Sequence, residues 1–141
     1  MHGSLMLDIA GTWLTAEDRQ LLRQPEVGGL ILFARNIEHP RQDEELGRSI
    51  RPIRPDLLLA VDQEGGRVQR LIEGYTKLPA MGVFASRWPK APQQTEALAT
   101  QLGWLMAAEM ISAGFDFSFA PVLDINVGLS KVIGNRAFGS D

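Results

Sequence analysis

Leu57-Leu58-Leu59-Ala60-Val61-Asp62-Gln63-Glu64-Gly65-Gly66-Arg67-Val68-Gln69-Arg70 is an apolar strand that ends abruptly in two carboxylates, two glycines and two arginines. A buried strand finishes in this way when its end faces a ligand. In parallel sheets, open or closed, the carboxyl ends of the strands carry the site.

The same alternation of apolar runs and helical stretches extends on both sides. Met6-Leu7-Asp8-Ile9 is a short strand candidate that closes at Gly11. Thr15 with Asp18 three residues on is a near capping box, and the helix it opens must end before Pro25. Val27 to Phe33 is continuously apolar or glycine, which fits a strand buried on both faces. Pro40 suits the first turn of a second helix, with Leu46 and Ile50 inward and Glu44, Glu45, Arg48 and Arg51 on its wet side.

The stretch from Gly65 to Pro92 reads as a long loop with short pieces of structure, a length associated with function. Thr95 is a candidate cap for a third helix that places Leu98, Leu102, Leu105, Met106 and Met110 at helical spacing and closes at Gly114. Phe117 to Asp124 is a fourth strand, with Pro121 near its end. Asn126 to Asp141 carries no further helix or strand signal. No repeat or linker divides the chain, so residues 1–141 are expected to form one unit.

This α/β order implies about four parallel strands with crossover helices. Two architectures fit it: a small doubly wound sheet, or the first half of a TIM-type (β/α)8 barrel, which needs about 250 residues when whole.

The chain has 141 residues, 45% of them hydrophobic and 22% charged, with a net charge of -3 and no cysteine. These values fit a globular chain. Disulfides, thiolate metal sites and cysteine nucleophiles are excluded. The acidic balance argues against a nucleic-acid partner, because Arg67, Arg70, Arg87 and Lys90 are too scattered to track phosphates. No apolar run is long enough to span a bilayer. No basic residue precedes the first apolar stretch, and Asp8 interrupts it, so a cytoplasmic location is expected.

Several side chains can carry chemistry. Asp62 and Glu64, two apart on a strand, would have α-carbons roughly 6.5 Å apart. That falls in the range of about 5–9.5 Å used by paired glycosidase carboxylates. The competing role, favoured by spacing alone, is that one of them binds the loop backbone or Arg67. Gly65-Gly66 suits either a close ligand approach or a plain tight turn. The pair matches neither dinucleotide nor phosphate-loop patterns. Arg67 and Arg70 can donate forked hydrogen bonds to hydroxyls or anions, or form surface ion pairs. Asp8, Asp62 and Asp124 each sit near a strand end and can share one rim, with a helix cap or loop tie expected for Asp8 and Asp124. His2 and His39 lack metal-ligand partners at useful spacing and are expected to be solvated. Trp13, Trp88 and Trp104 are expected to pack, with Trp88 also a candidate sugar platform.

Four segments in order resemble one family. Val27 to Asn36, Asp62 to Arg70, Phe119 to Asp124 and Ile133 to Phe138 are similar to the successive strands and loops of bacterial β-N-acetylhexosaminidases of glycoside hydrolase family 3. The resemblance implies a (β/α)8-type barrel. It also implies that Asp62, Arg70 and Arg136 hold a terminal N-acetylglucosamine, while Glu64 becomes a loop-fixing group. It implies a retaining mechanism with an aspartate nucleophile and a histidine–aspartate acid/base pair, no metal or organic cofactor, and an N-acetylglucosamine-containing muropeptide from cell-wall recycling as substrate.

None of the family's catalytic segments has a counterpart in residues 1–141, and neither His2 nor His39 matches its histidines. No catalytic residue is therefore assigned here. A non-catalytic sugar-binding or self-associating half-barrel module is the alternative. A doubly wound nucleotide-binding or receiver-like domain is a third reading, for which Asp8-Ile9-Ala10-Gly11-Thr12 is a poor phosphate loop. Exposed edges would let a half barrel self-associate as a homo-oligomer. The 141-residue chain alone is expected to release no chromophore from a chromogenic N-acetylglucosaminide; turnover above a heat-killed control would contradict this.

Overall fold

The computed structural model describes residues 3–129 and 131–140. Strand β1 (Leu5–Leu7) leads to α1 (Ala16–Leu22), β2 (Val27–Leu32), α2 (Pro40–Ile50) and β3 (Leu58–Val61). A short antiparallel pair follows, β4 (Gln63–Gly65) and β5 (Val68–Gln69). Next come α3 (Gly82–Arg87), α4 (Pro92–Ser112) and β6 (Phe117–Ser118). Two 3-10 turns cover Ala34–Asn36 and Gly134–Arg136.

Strand order separates the two candidate architectures. Among the described residues one sheet runs β1-β2-β3-β6, with every neighbouring pair parallel. A doubly wound sheet reverses direction at a switch point. Here each new strand is added on the same side of the last. Right-handed crossovers then put α1, α2 and α4 on one face of the sheet. This is the first half of a (β/α)8 barrel.

Packing follows the two-residue period of the strands. Leu30 and Leu32 of β2 pair in register with Leu59 and Val61 of β3. All four are buried in one cluster with Leu22, Leu46, Ile50 and Met110 from the helices. Each fully buried leucine of this kind stabilises the fold by about 1.5–3 kcal/mol. The alternate residues point to the other face, where Met6 and Leu58 pair across Gly29 and remain 36% and 41% exposed.

Local chemistry sets the helix ends. The Thr15 hydroxyl accepts from the Asp18 backbone N–H at 3.1 Å, and the Asp18 carboxylate accepts from the Thr15 N–H at 2.9 Å. That is the complete capping box. Pro40 opens α2, and His39, though exposed, is not merely solvated: its Nδ1 accepts from the Gln42 N–H at 3.3 Å. Arg51 departs from its expected wet face. Its guanidinium donates to the carbonyls of Leu57 and Gly114 and to the Asp116 carboxylate, at 2.8–2.9 Å. Asp116 in turn accepts from the Leu59 N–H at 2.6 Å, which ties β6 to β3.

Three other expectations change. Helix α4 begins at Pro92 rather than at Thr95, whose buried hydroxyl donates back to Ala91 O at 2.7 Å. The fourth strand is confined to Phe117 and Ser118, so Pro121 lies outside it. The segment after Asn126 contains the turn Gly134–Arg136. Trp13, Trp88 and Trp104 are 51%, 53% and 72% exposed, so packing is not their role within this chain. His2 lies outside the described residues. After β6 in the chain, Leu123 and Leu129 are 86% and 91% exposed, and Trp104 and Ile111 of α4 are also exposed.

The loop after β5 is anchored at two points. Tyr75 donates its hydroxyl to the buried Asp43 carboxylate of α2 at 2.8 Å. Thr76 donates its N–H and hydroxyl to Glu109 of α4 at 3.1 and 2.6 Å. Burial raises the Asp43 pKa above 3.8, against the lowering effect of the Tyr75 hydrogen bond. The folded chain therefore binds this proton more readily than the unfolded chain. The stability it contributes is full below 3.8 and is lost as pH rises through the raised value. Asp43→Asn keeps an acceptor for Tyr75 without titrating. Its urea midpoint should gain on that of the wild type as pH rises above 3.8, and parallel pH profiles would contradict this.

Candidate functional site

The site grows from the end of β3. Asp62 is the junction between β3 and the β4–β5 hairpin, so it stands at the carboxyl rim of the parallel sheet. The chain then folds back within eight residues. Gly65 and Gly66 make the reversal, with φ of +91° and +59°. A Cβ on Gly65 would lie 2.4 Å from the Pro79 carbonyl oxygen, and one on Gly66 would lie 2.7 Å from the Ala80 Cβ. These glycines therefore form a tight turn against residues 78–80, not an approach to a ligand. Glu64 belongs to the hairpin, so the period shared with Asp62 along one strand does not hold.

The reversal brings Arg70 back to Asp62, with Nη2 3.4 Å from Oδ2 and each side chain about a quarter exposed. A second pair lies beside the first. Glu64, only 5% exposed, accepts from Arg136 Nε at 2.8 Å and from Nη2 at 2.7 Å. This bidentate hydrogen bond raises the Arg136 pKa above its ordinary value, and the nearby charges of Asp62 and Asp124 act in the same direction. The three residues expected to hold the sugar are thus joined in one cluster, with Glu64 as its fourth member.

Two buried glutamines, missed in the sequence reading, hold this cluster in place. Gln63 is 1% exposed and Gln69 is 7% exposed. The Gln63 side-chain oxygen accepts from the N–H groups of Arg70 and Leu71 at 3.0 and 3.1 Å. Its backbone N–H donates to Ser118 Oγ at 2.9 Å, fixing the hairpin to β6. Gln69 donates to the carbonyls of Leu71 and Thr76, both at 2.8 Å, and accepts from the Leu78 N–H at 2.9 Å. An amide with both donors and acceptor can satisfy the backbone of an irregular loop that has no ladder of its own. The available signal was polar residues occupying positions that alternate with Val68 on a hairpin.

The remaining candidates have other partners. Arg67 donates to the Val132 carbonyl and, at 3.5 Å, to that of Lys131, rather than to a surface carboxylate. Asp8 pairs with Arg35, whose guanidinium also sits 4.9 Å from the Phe33 ring centre. Asp124 is exposed. Among the described residues no group of three or more aspartate, glutamate or histidine side chains is arranged to hold a metal ion. Behind Glu64 an apolar cavity of about 190 Å³ is bounded by Leu78, Met81, Phe84, Leu102 and Phe138.

Fold and rim together define a parallel barrel-type α/β domain with a paired carboxylate–arginine cluster at the carboxyl ends of its strands. The model of the glycosyl hydrolase family 3 N terminal domain matches residues 6–141. The chain belongs to that family. It is 65% identical over 141 residues to a β-hexosaminidase of Pseudomonas aeruginosa, covering all of this chain and 41% of that protein. It is 55% identical over 139 residues to a β-hexosaminidase of Alkalilimnicola ehrlichii. It spans about two-fifths of the length of these curated relatives.

Solved structures agree. NagZ from Neisseria gonorrhoeae in complex with N-trifluoroacetyl-D-glucosamine is 46% identical, with a TM-score of 0.95 over 99% of this chain and 42% of that one. A family 3 β-N-acetylglucosaminidase from Paenibacillus is 33% identical, with a TM-score of 0.82 over 95% of this chain and 26% of that one.

The glutamine clamp is directly testable. Gln69→Leu leaves the Thr76 carbonyl and the Leu78 N–H without their side-chain partner, and the Leu71 carbonyl with only a 3.4 Å bond from Gln63, at about 1–3 kcal/mol for each group that stays buried and unsatisfied. The variant should show a lower urea midpoint and faster proteolytic cleavage between residues 70 and 78. Wild-type cleavage kinetics would contradict the clamp.

Proposed function

We propose that this domain holds the terminal N-acetylglucosamine of a β-linked glycoside for a retaining exo-β-N-acetylglucosaminidase. The observation that carries this reading is the junction of Asp62–Arg70 with Glu64–Arg136 at one rim. Two carboxylates and two guanidinium groups sum to no net charge. Such a site favours a neutral polyhydroxyl ligand over an anion, since each sugar hydroxyl can donate to a carboxylate and accept from an arginine. The Asp62–Arg70 contact is long and partly exposed, so ligand hydroxyls can compete for both partners. The solved relative at 46% identity holds an N-acylated glucosamine, which supports the choice of sugar.

In this reading Asp62, Arg70 and Arg136 bind and orient, and none of them reacts. Asp62 and Glu64 are both engaged by arginine and His39 caps α2, so in this reading none of these three is the nucleophile or the proton donor. The reaction would proceed in two steps on family segments outside the matched part. An aspartate attacks the anomeric carbon while a histidine protonates the leaving oxygen, and water then hydrolyses the glycosyl-enzyme. By family the substrate is an N-acetylglucosamine–anhydro-N-acetylmuramic acid muropeptide of cell-wall recycling, acted on in the cytoplasm. No helix of the described residues is long and apolar enough to cross a membrane.

The test is turnover of 4-nitrophenyl N-acetyl-β-D-glucosaminide by the full-length polypeptide that carries these residues. Asp62→Asn and Arg70→Ala should each lower kcat/KM about tenfold or more, the loss of one charge-assisted hydrogen bond. Wild-type values in both variants, or no turnover by the unaltered protein, would overturn the proposal.

A further inference from the structure

We propose that Glu64 is a positioning residue that converts Arg136 from a flexible cation into a fixed two-pronged hydrogen-bond donor for the sugar. The inference rests on the binding role given to Arg136 above. It concerns a carboxylate whose spacing from Asp62 suits a reacting pair and which the family resemblance makes a loop-fixing group.

A guanidinium carries five N–H groups in one plane. Glu64 takes one from Nε and one from Nη2, both in good hydrogen-bonding range. The Val132 carbonyl takes a third, from Nη1 at 3.3 Å. Among the described residues this leaves two N–H groups, one on each terminal nitrogen, at the far end of the side chain. They form a fork whose plane and direction are set by the Glu64 contact.

Among the described residues, the cavity behind Glu64 offers it no other cation or polar side chain to turn to. Glu64 is 5% exposed, lies inside β4, and lines that apolar cavity, which is bounded by Leu78, Phe84 and Phe138. A buried carboxylate in such a place is held by the cation that neutralises it, and the constraint acts equally on the cation. The segment that carries Arg136 is tied down from the same hairpin, because Arg67 donates to the carbonyls of Lys131 and Val132. One hairpin therefore fixes both the backbone before Arg136 and the orientation of its side chain.

Pre-orientation of this kind lowers the ordering cost of binding. A lysine at position 136 could not reproduce it, since an ammonium has no plane to fix. Pairing with Glu64 makes the pair neutral overall while Arg136 keeps its proton, so the fork favours an uncharged hydroxyl ligand and selects it by direction.

The test uses the full-length polypeptide and two independent readouts. The first is the Arg136 Nε–H signal in a nitrogen-15 spectrum, assigned by its loss in Arg136→Lys. It should exchange slowly with water in the wild type and rapidly in Glu64→Gln. The second is steady-state kinetics on the same chromogenic N-acetylglucosaminide. Glu64→Gln should raise KM about tenfold with kcat little changed, the pattern of lost uniform binding. Arg136→Lys should do the same, and the double variant should be no worse than either single one.

Glu64→Asp keeps the charge with a shorter reach and should fall between wild type and Glu64→Gln. It also serves if Glu64→Gln does not fold. A purely structural role would lower thermal stability without moving KM, and that result would overturn the inference. So would fast exchange of the Arg136 Nε–H in the wild type. If the unaltered protein does not turn over the glycoside, the proposed activity fails, while the exchange measurement still decides whether Glu64 fixes Arg136.

Discussion

The constraint on which everything else depends is the parallel, in-sequence pairing β1-β2-β3-β6. Adding each strand on the same side of the last forces every crossover helix to one face. It also brings the carboxyl ends of all the strands to one rim. Leu30, Leu32, Leu59 and Val61 keep this order because their face is buried under the helices. A one-residue slip would turn those side chains to the opposite face and bring Leu58 and Met6 inward. The position of Asp62 at the rim is a direct result of that register.

Above the sheet, the site is built from irregular chain, and irregular chain must satisfy its own backbone. The β4–β5 hairpin does so with two buried glutamines, two left-handed glycines and a serine from β6. These groups make no contact with a ligand in this account, yet they determine where Arg70 and Glu64 stand. Tyr75 and Thr76 then anchor the far end of the same loop to α2 and α4. The loop is long, but it is fastened at short intervals.

The electrostatics of the rim follow from pairing. An isolated buried glutamate beside a leucine- and phenylalanine-lined cavity would be costly to ionise. Arg136, 72 residues away in sequence, supplies its counter-charge through two hydrogen bonds. Asp62 and Arg70 form a looser and wetter pair. Two tight contacts and one long one distinguish a group that is held from a pair that can open to hydroxyls.

Much of this was legible in the amino-acid sequence, because it depends on local periodicity and end chemistry. The capping box at Thr15, the proline start of α2, the doubly buried run of β2 and the Gly114 helix end are short-range properties of the chain. The charged end of the third strand, and the family motifs around it, singled out Asp62, Arg70 and Arg136. The β-α order alone could not choose between a doubly wound sheet and a barrel, since it serves both; the family motifs pointed to the barrel, and the spatial order of the strands bears that out. The sequence reading misplaced Arg51, which clamps β6, and it made Glu64 a loop-fixing group without naming Arg136 as its partner. Both have one cause: the partners, Asp116 and Arg136, lie 65 and 72 residues away. Local pattern determined which residues form the strands and turns, and only the tertiary fold decided which charges meet, because long-range pairing is fixed by packing and has no period in the sequence.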